Sequence, residues 1–537
     1  MAHDAIVVGA GHNGLAAAII LAKAGWDVAV LERNAEAGGA VRTAEVTLPG
    51  FRHDLYAANL NLFAGSPFFA EFGDELAANG LEFAPSSRPF SSVFPDGGFI
   101  GVSTDLEATV ASVEAFSPAD GAAWRELNDW FGTIAPHLFP LLGTPLPSAR
   151  AVRTLAGGAR ALGKEWPFEL TRLVLQSTRE FVEEHFSSRE VQALCAAWGM
   201  HLDFPPDVAG GALFPFLETF ADGANGMVLG VGGARSMIDA QVSLLESYEG
   251  SVRLEAPVQR ILVEDGRATG VELADGERIM AGRAVIANLT PKVLFDRLVP
   301  AEYLPARFRR RVEAYRHAPG TMMVHLAMDD LPDWAADPAA RDYAYVHIGP
   351  YMEDMGLAYQ HAVAGLLPTQ PMLVVGQPTA VDPTRAPDGK HVLWVQVRVV
   401  PGTITGDAAG AITASDWNEA KEPYADRVLD IIEQYAPGTR SKVLARHVLA
   451  PTDLEADNPN LIGGDSLGGS HHLMQHFFLR PFPGWTRYRT PVDGLFMCGA
   501  GTWPGAGVGA GSGHLLGQQL TAARPLERLK DRLGDLF

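Results

Sequence analysis

The feature that most constrains this chain lies near its start, where the apolar run Ala5–Val8 leads directly into Gly9, Gly11 and Gly14 and then into the alanine-rich stretch Leu15–Ala24. Strand, tight turn and helix in that order open a doubly wound α/β sheet. Gly9 permits the turn, Gly11 lets a pyrophosphate approach the backbone, and Gly14 lets the helix pack closely on the strand. The helix N-terminus then offers free N–H groups and the positive end of its dipole to phosphate. Gly25 closes the helix, DVAVLE forms the second strand, and Glu32 ends it. An acidic side chain there accepts hydrogen bonds from the ribose hydroxyls of an adenine dinucleotide and argues against a 2′-phosphate.

That motif fits FAD and NAD equally. The string ERNAEAGGAVRT separates them, because Arg33, Gly38, Gly39 and Arg42 resemble the extension of glutathione-reductase-type flavoproteins, in which paired glycines pass close to FAD. A second glycine-rich stretch, GMVLGVGGARSMIDAQ, carries Gly230, Gly232 and Gly233, but the third glycine of the spacing is missing and short strands separated by DG turns follow. It reads as the entry to a β-meander attached to the first unit, not as an NAD(P)H site. In flavoproteins of this type the backbone near Val258 meets the adenine.

Near the other end, GLFMCGAGTWPGAGVGAGSGHLLGQQL places an apolar strand before a glycine-dense turn and a helix predicted to begin near Val508. Gly499, Gly501, Gly505 and Gly507 let backbone approach a planar ligand. The helix dipole would stabilise negative charge that develops around N1 and the C2 carbonyl of a flavin on reduction.

A chain of 537 residues exceeds one compact core and predicts two or three packed units. The expected class is α/β: a discontinuous Rossmann-type FAD-binding domain (1–60, 225–300 and 485–525) plus a mixed α+β substrate domain with helical cover (61–224 and 301–484). A tail occupies 526–537. Helices are predicted near Asp105–Leu142, Glu169–Phe186 and Ala425–Tyr435, and strands at TMMVHLAM and HVLWVQVRVV. A formal charge of -21 argues against nucleic acid. Cys195 and Cys498 are too few for a disulfide framework or a cysteine-ligated metal, which fits a reducing cytoplasm. His317, His325, His347, His361 and His391 lack metal-ligand spacing. The opening MAHDAIVVGAGHNG has no secretory-signal pattern, and no uninterrupted apolar stretch of about 18 residues predicts a membrane span, which leaves peripheral membrane contact open.

Taken together, VVGAGHNGLAAA, ERNAEAGG and GAGTWPGAGVGAG resemble the bacterial phytoene desaturase and phytoene dehydrogenase-related family. LPGFRHDLYAANLNL and GGDSLGGSHHLMQ are most like the branch containing pyridine nucleotide-disulfide oxidoreductase domain proteins. The resemblance implies a second domain over the flavin and removal of hydride from an unactivated or allylic C–H of an apolar molecule, isoprenoid or carotenoid-like, with oxygen or a quinone taking the electrons. Carried over, Gly9, Gly11, Gly14, Glu32, Arg33, Gly38, Gly39, Arg42, Val258, Gly499, Gly501, Gly505, Gly507 and Val508 would line the FAD. Trp503 stands where the desaturase pattern usually has His, and Gly509 where it usually has Pro. Of Asp465, His471, His472 and His476, the candidates for accepting a proton are His471 and His472, with Trp503 as a wall of the site. The sequence leaves open an oxidase of a small amine or alcohol releasing hydrogen peroxide, a flavin-dependent isomerase, and a non-catalytic flavin-binding interaction protein. It leaves the oligomeric state open as well.

Overall fold

The computed structural model describes residues 2–522. Ala2–Val8 (β1), His12–Lys23 (α1) and Val28–Leu31 (β2) form the expected crossover, with β1 and β2 parallel from Ala5 opposite Val28 to Val8 opposite Leu31. Helix α1 is apolar on all sides and buried from Asn13 to Ala22, because helices Arg235–Ser247 and Gly511–Thr521 pack over it. The closest approach is at Gly513, where a Cβ would lie 1.8 Å from the Asn13 carbonyl oxygen. Replacing Gly513 by Ala should therefore destabilise the chain by about 1–3 kcal/mol, read as a lower thermal midpoint. An unchanged midpoint would mean that the two helices can separate without cost.

Beside β1 runs the long strand Arg278–Ala287, whose other edge serves two partners. Its first part pairs antiparallel with Arg267–Leu273, and Val285–Ala287 pairs parallel with Leu495–Met497. Val258–Glu264 completes the meander through a turn in which Asp265 and Gly266 both have positive φ, and Ser251–Arg253 lies outside β2. This sheet thus draws on three separated stretches of chain.

A second seven-stranded sheet has the order Val443–Leu449, Gly320–Met328, His391–Val400, Met372–Gly376, Tyr345–Ile348, Phe90–Val93, Phe99–Val102. Its pairs are antiparallel except Tyr345–Ile348 with Phe90–Val93. Alternation along His391–Val400 decides which side faces what. Leu393, Val395 and Val397 pack under helix Trp417–Tyr435, whereas Trp394, Gln396 and Arg398 face the opposite way, toward a cavity. Helices Pro118–Leu142, Arg189–Met200 and Leu213–Asn225 cover that side around a cluster including Trp124, Phe131, Phe216 and Phe220. The fold is mixed α/β, as expected.

Several boundaries differ from the sequence reading. Asp105–Leu142 is two helices, Leu106–Glu114 and Pro118–Leu142, because the Ser117 side chain caps the second by accepting from the Asp120 N–H. Glu169–Phe186 is likewise divided into Trp166–Leu175 and Thr178–His185, where Ser177 and Glu180 form a capping box. The helix predicted over Ala425–Tyr435 begins earlier, at Trp417, capped by Asp416. The C-terminal helix begins at Gly511, later than Val508, because the turn before it runs on to Ala510. Residues 61–81 do not join the second unit. Phe63, Phe68, Phe72 and Leu76 pack with α1 and its neighbouring helices, where their rings find an apolar surface already built. The expected tail 526–537 and the end of 485–525 lie outside the described residues. Both cysteines are buried and free. Among the described residues no helix is long and apolar enough to cross a membrane, and no group of His, Cys, Asp or Glu could hold a metal ion.

Candidate functional site

The carboxyl ends of β1 and β2 open onto a cavity of about 540 Å³ whose far wall is the second sheet with its helical cover. At the near end the glycine turn is braced from two sides. Glu32, which is buried, accepts the Ala10 N–H at 2.9 Å through one carboxylate oxygen and the Asn34 N–H at 3.0 Å through the other. From the adjacent strand end, Asn288 Nδ2 donates to the carbonyls of Gly9 and Gly11, both at 3.3 Å. Gly11 is bridged to Gly38, whose N–H donates to the Ala10 carbonyl at 3.0 Å. A Cβ at Gly39 would lie 3.4 Å from Gly11 Cα, so the two glycine runs meet as bare backbone. Helix α1 starts at this point with no side-chain cap, which leaves its first N–H groups for an anion. An uncapped helix start, an acid at the end of β2 and a backbone cradle without side chains fit the diphosphate and ribose of FAD.

Gly9, Gly11, Glu32, Arg33, Gly38, Gly39, Val258, Gly499, Gly507 and Val508 all border the cavity. Four other candidates do not, three of them because they are packed against other groups and one because it is ion-paired. Gly14 packs against the Gly9 carbonyl, Gly501 against Pro291, and Gly505 against His471. Arg42 is engaged through Nη1 with both oxygens of Asp457 at 2.7 Å, and Tyr56 OH donates to the same carboxylate. Arg42 thereby ties the Gly38–Gly39 loop to helix Pro451–Asp457, and it is Asp457 that reaches the cavity.

The proposed proton acceptors are placed elsewhere. His471 is buried behind the glycine turn, and its Nε2 accepts the Ala506 N–H at 3.1 Å. Burial and the nearby Arg480 hold its pKa well below the usual histidine value, so it is a neutral prop for residues 505–506. His472 donates from Nε2 to the Asp203 carbonyl at 2.7 Å and packs at a tilt beside Phe204, away from the cavity. Asp465 pairs with His317 at 2.9 Å and accepts the N–H groups of Leu467 and Gly469, which fixes the loop. His476 is buried against Phe477 and Trp503. Trp503 is a core residue rather than a wall, since its indole N–H donates to the Thr144 carbonyl at 2.9 Å and no part of it borders the cavity.

One carboxylate pair does reach this place. Glu218 borders the cavity, and Asp222 lies one turn further along helix Leu213–Asn225. Asp222 accepts from Asn61 Nδ2 at 2.7 Å. The neighbouring Leu62 closes over the glycine turn, where a Cβ at Gly507 would lie 2.5 Å from Leu62 Cδ1. Burial pushes the Glu218 carboxyl up to about 7, and burial together with Glu218 pushes Asp222 well above the usual carboxylate range. Two acids four apart in the otherwise apolar FPFLETFADG were the signal available for finding them. His12, also in the cavity wall, is pushed down to about 4 by burial and is neutral.

The stretch with Gly230, Gly232 and Gly233 builds no second nucleotide site. Strand Met227–Gly230 pairs antiparallel with Phe83–Ser86 rather than parallel with Ser251–Arg253, and the Gly232 N–H is taken by Asp382 at 2.7 Å.

Comparison with known proteins agrees with this geometry. A family model described as flavin containing amine oxidoreductase matches residues 14–510. Over 551 residues, 95% of this chain and 92% of the relative, the chain is 31% identical to pyridine nucleotide-disulfide oxidoreductase domain-containing protein 2 of Mus musculus. It is 27% identical over 522 residues, 94% of this chain and 92% of the relative, to the neurosporene-forming phytoene desaturase of Cereibacter sphaeroides. The solved structure of an oxidoreductase from Methanosarcina mazei has the same fold, with a TM-score of 0.61 at 18% identity over 96% of this chain and 99% of that one.

Proposed function

The chain belongs to the flavin containing amine oxidoreductase family, and from that premise we propose that it dehydrogenates a hydrophobic substrate by passing hydride from a C–H bond to the flavin. It is an oxidoreductase, and its cofactor is FAD. The glycine turn and the start of α1 would hold the diphosphate, Glu32 the ribose, the backbone at Val258 the adenine, and residues 499–508 the ring system. When bound, FAD supplies a two-electron acceptor for hydride.

The observation that carries this reading is the wall opposite the glycine turn. Trp198, Leu202, Met323, Tyr345 and Trp394 line it, a largely apolar and aromatic surface that receives a hydrophobic molecule and keeps water from the reacting carbon. Glu218 is the group in this wall able to take a proton when one leaves with the hydride. Oxygen or a quinone would then take the electrons from the enzyme.

Anaerobic mixing of the purified holoenzyme with a panel of polyenes, terpenes and small amines tests this directly. Bleaching of the visible flavin band by apolar alkenes and not by amines is the expected outcome. Reduction by polar amines alone, with hydrogen peroxide formed in air, would replace the reading with an amine oxidase. No reduction by any compound would remove the dehydrogenase role.

A further inference from the structure

The second sheet sets one guanidinium into the aromatic wall of the cavity. Arg398 follows Trp394 and Gln396 along the cavity face of His391–Val400 and is 7% exposed. A guanidinium has five N–H donors. Here they meet only neutral acceptors. Nη1 donates to Ser466 Oγ at 3.0 Å and at 3.5 Å to Thr321 Oγ1, and Nη2 donates to the His201 carbonyl. Nε–H has no partner. No carboxylate among the described residues forms an ion pair with Arg398, and Asp465, the acid whose charge acts on it, is engaged by His317 and two backbone N–H groups.

Burial pushes Arg398 down to about 10, so it remains charged at neutral pH. A buried cation without a counter-charge is costly, and the cost is offset when an anion arrives beside it. The rings of His201 and His347, 5.3 Å apart, are held neutral by burial and by Arg398, and His201 Nε2 and both nitrogens of His347 have no partner. Of the two, His201 borders the cavity, and its neutral ring can turn an N–H toward an oxygen there. The remaining cavity arginines, Arg33 and Arg297, belong to the dinucleotide end, where the segment Val293–Leu298 packs on Val258–Glu264.

We propose that Arg398 receives a carboxylate of the substrate, so that the molecule dehydrogenated is an amphipathic acid with a long apolar or isoprenoid body ending in one carboxylate. This rests on the preceding reading that the substrate is apolar and loses hydride. The unpartnered Nε–H leaves the guanidinium one donor for an oxygen of a planar anion. A single cation in an aromatic wall neutralises one charge, which selects a monoanion.

Isothermal titration calorimetry of the holoenzyme with octanoate and octan-1-ol tests the assignment without turnover. Octanoate should bind at least about tenfold more tightly than the alcohol, because a site built to pair a polar group disfavours the analogue lacking it. Arg398→Gln should abolish that preference while flavin content is kept. Arg398→Lys, which retains charge but not the fork, should keep part of it. Equal affinity for acid and alcohol, or a preference that survives in Arg398→Gln, overturns the proposal. Loss of flavin from both variants with the acid preference unchanged in what remains overturns it too, and assigns Arg398 to the cofactor. Octyl phosphate binding as tightly as octanoate would overturn the choice of a carboxylate. If Arg398→Gln does not fold, the acid and alcohol affinities of the parent enzyme decide the matter. Failure of the underlying reading is separate: in that case no apolar compound, acidic or neutral, bleaches the flavin, whatever the order of binding.

Discussion

Replacing Gly14 by valine should give protein with less than about a tenth of the bound flavin of the parent chain, because this glycine sets how closely the helix lies on the phosphate-binding turn. A Cβ at this position would lie 2.4 Å from the Gly9 carbonyl oxygen and 2.9 Å from Asn288 Nδ2. Neither can yield cheaply. The Gly9 carbonyl is backbone in the turn itself, and Asn288 is the brace that holds the turn to the neighbouring strand. Helix α1 has no room to retreat either, since Gly513 already closes on the far side at Asn13. The visible absorbance of purified protein relative to its ultraviolet absorbance measures the effect, with circular dichroism confirming that the chain is folded. A folded variant that retains its full flavin would show that the turn does not hold the diphosphate.

Glu218→Gln should lower kcat by roughly 10²–10⁴-fold if the departing proton goes to this group. The pH dependence carries the sharper signature. A base must be deprotonated to act, and burial places the Glu218 carboxyl at about 7. In the parent enzyme kcat should therefore rise about tenfold per unit below pH 7 and level off above it. In Glu218→Gln that limb should vanish, leaving a flat profile with KM little changed. The same burial affects stability with the opposite sense. The folded chain favours the neutral acid, so the contribution of this group is complete below the ordinary glutamate range and is lost as pH rises through about 7. A variant that keeps the parent's rising limb would place the proton acceptor elsewhere.

What could be read in the sequence was whatever local backbone demands. The crossover from β1 to β2 was legible because a tight turn, a phosphate approach and a close helix each require glycine at a particular spacing. The glycine-dense stretch near residue 505 was legible for the same reason. Its supports were not. Asn288 directly follows a strand in VIAN, and nothing in that string says that the strand beside β1 is this one. His471 looked like a base because a histidine near a flavin turn has suitable chemistry, but burial and the Ala506 N–H make it a neutral acceptor. The family resemblance places Arg42 and Trp503 at the site, but long-range partners at Asp457 and Thr144 claim them instead. The breaks at Ser117 and Ser177 were visible as caps in principle, yet the apolar periodicity on both sides masked them.

The strand Arg278–Ala287, shared between the meander and Leu495–Met497, imposes an order on the birth of this enzyme. β1, β2 and the meander can pair among themselves, but the parallel partner that leads into the glycine turn lies about two hundred residues further along the chain. Contacts so distant along the chain form late and slowly. A phosphate cradle can therefore form before the ring is enclosed, which makes holding the diphosphate and enclosing the ring two separate events in folding.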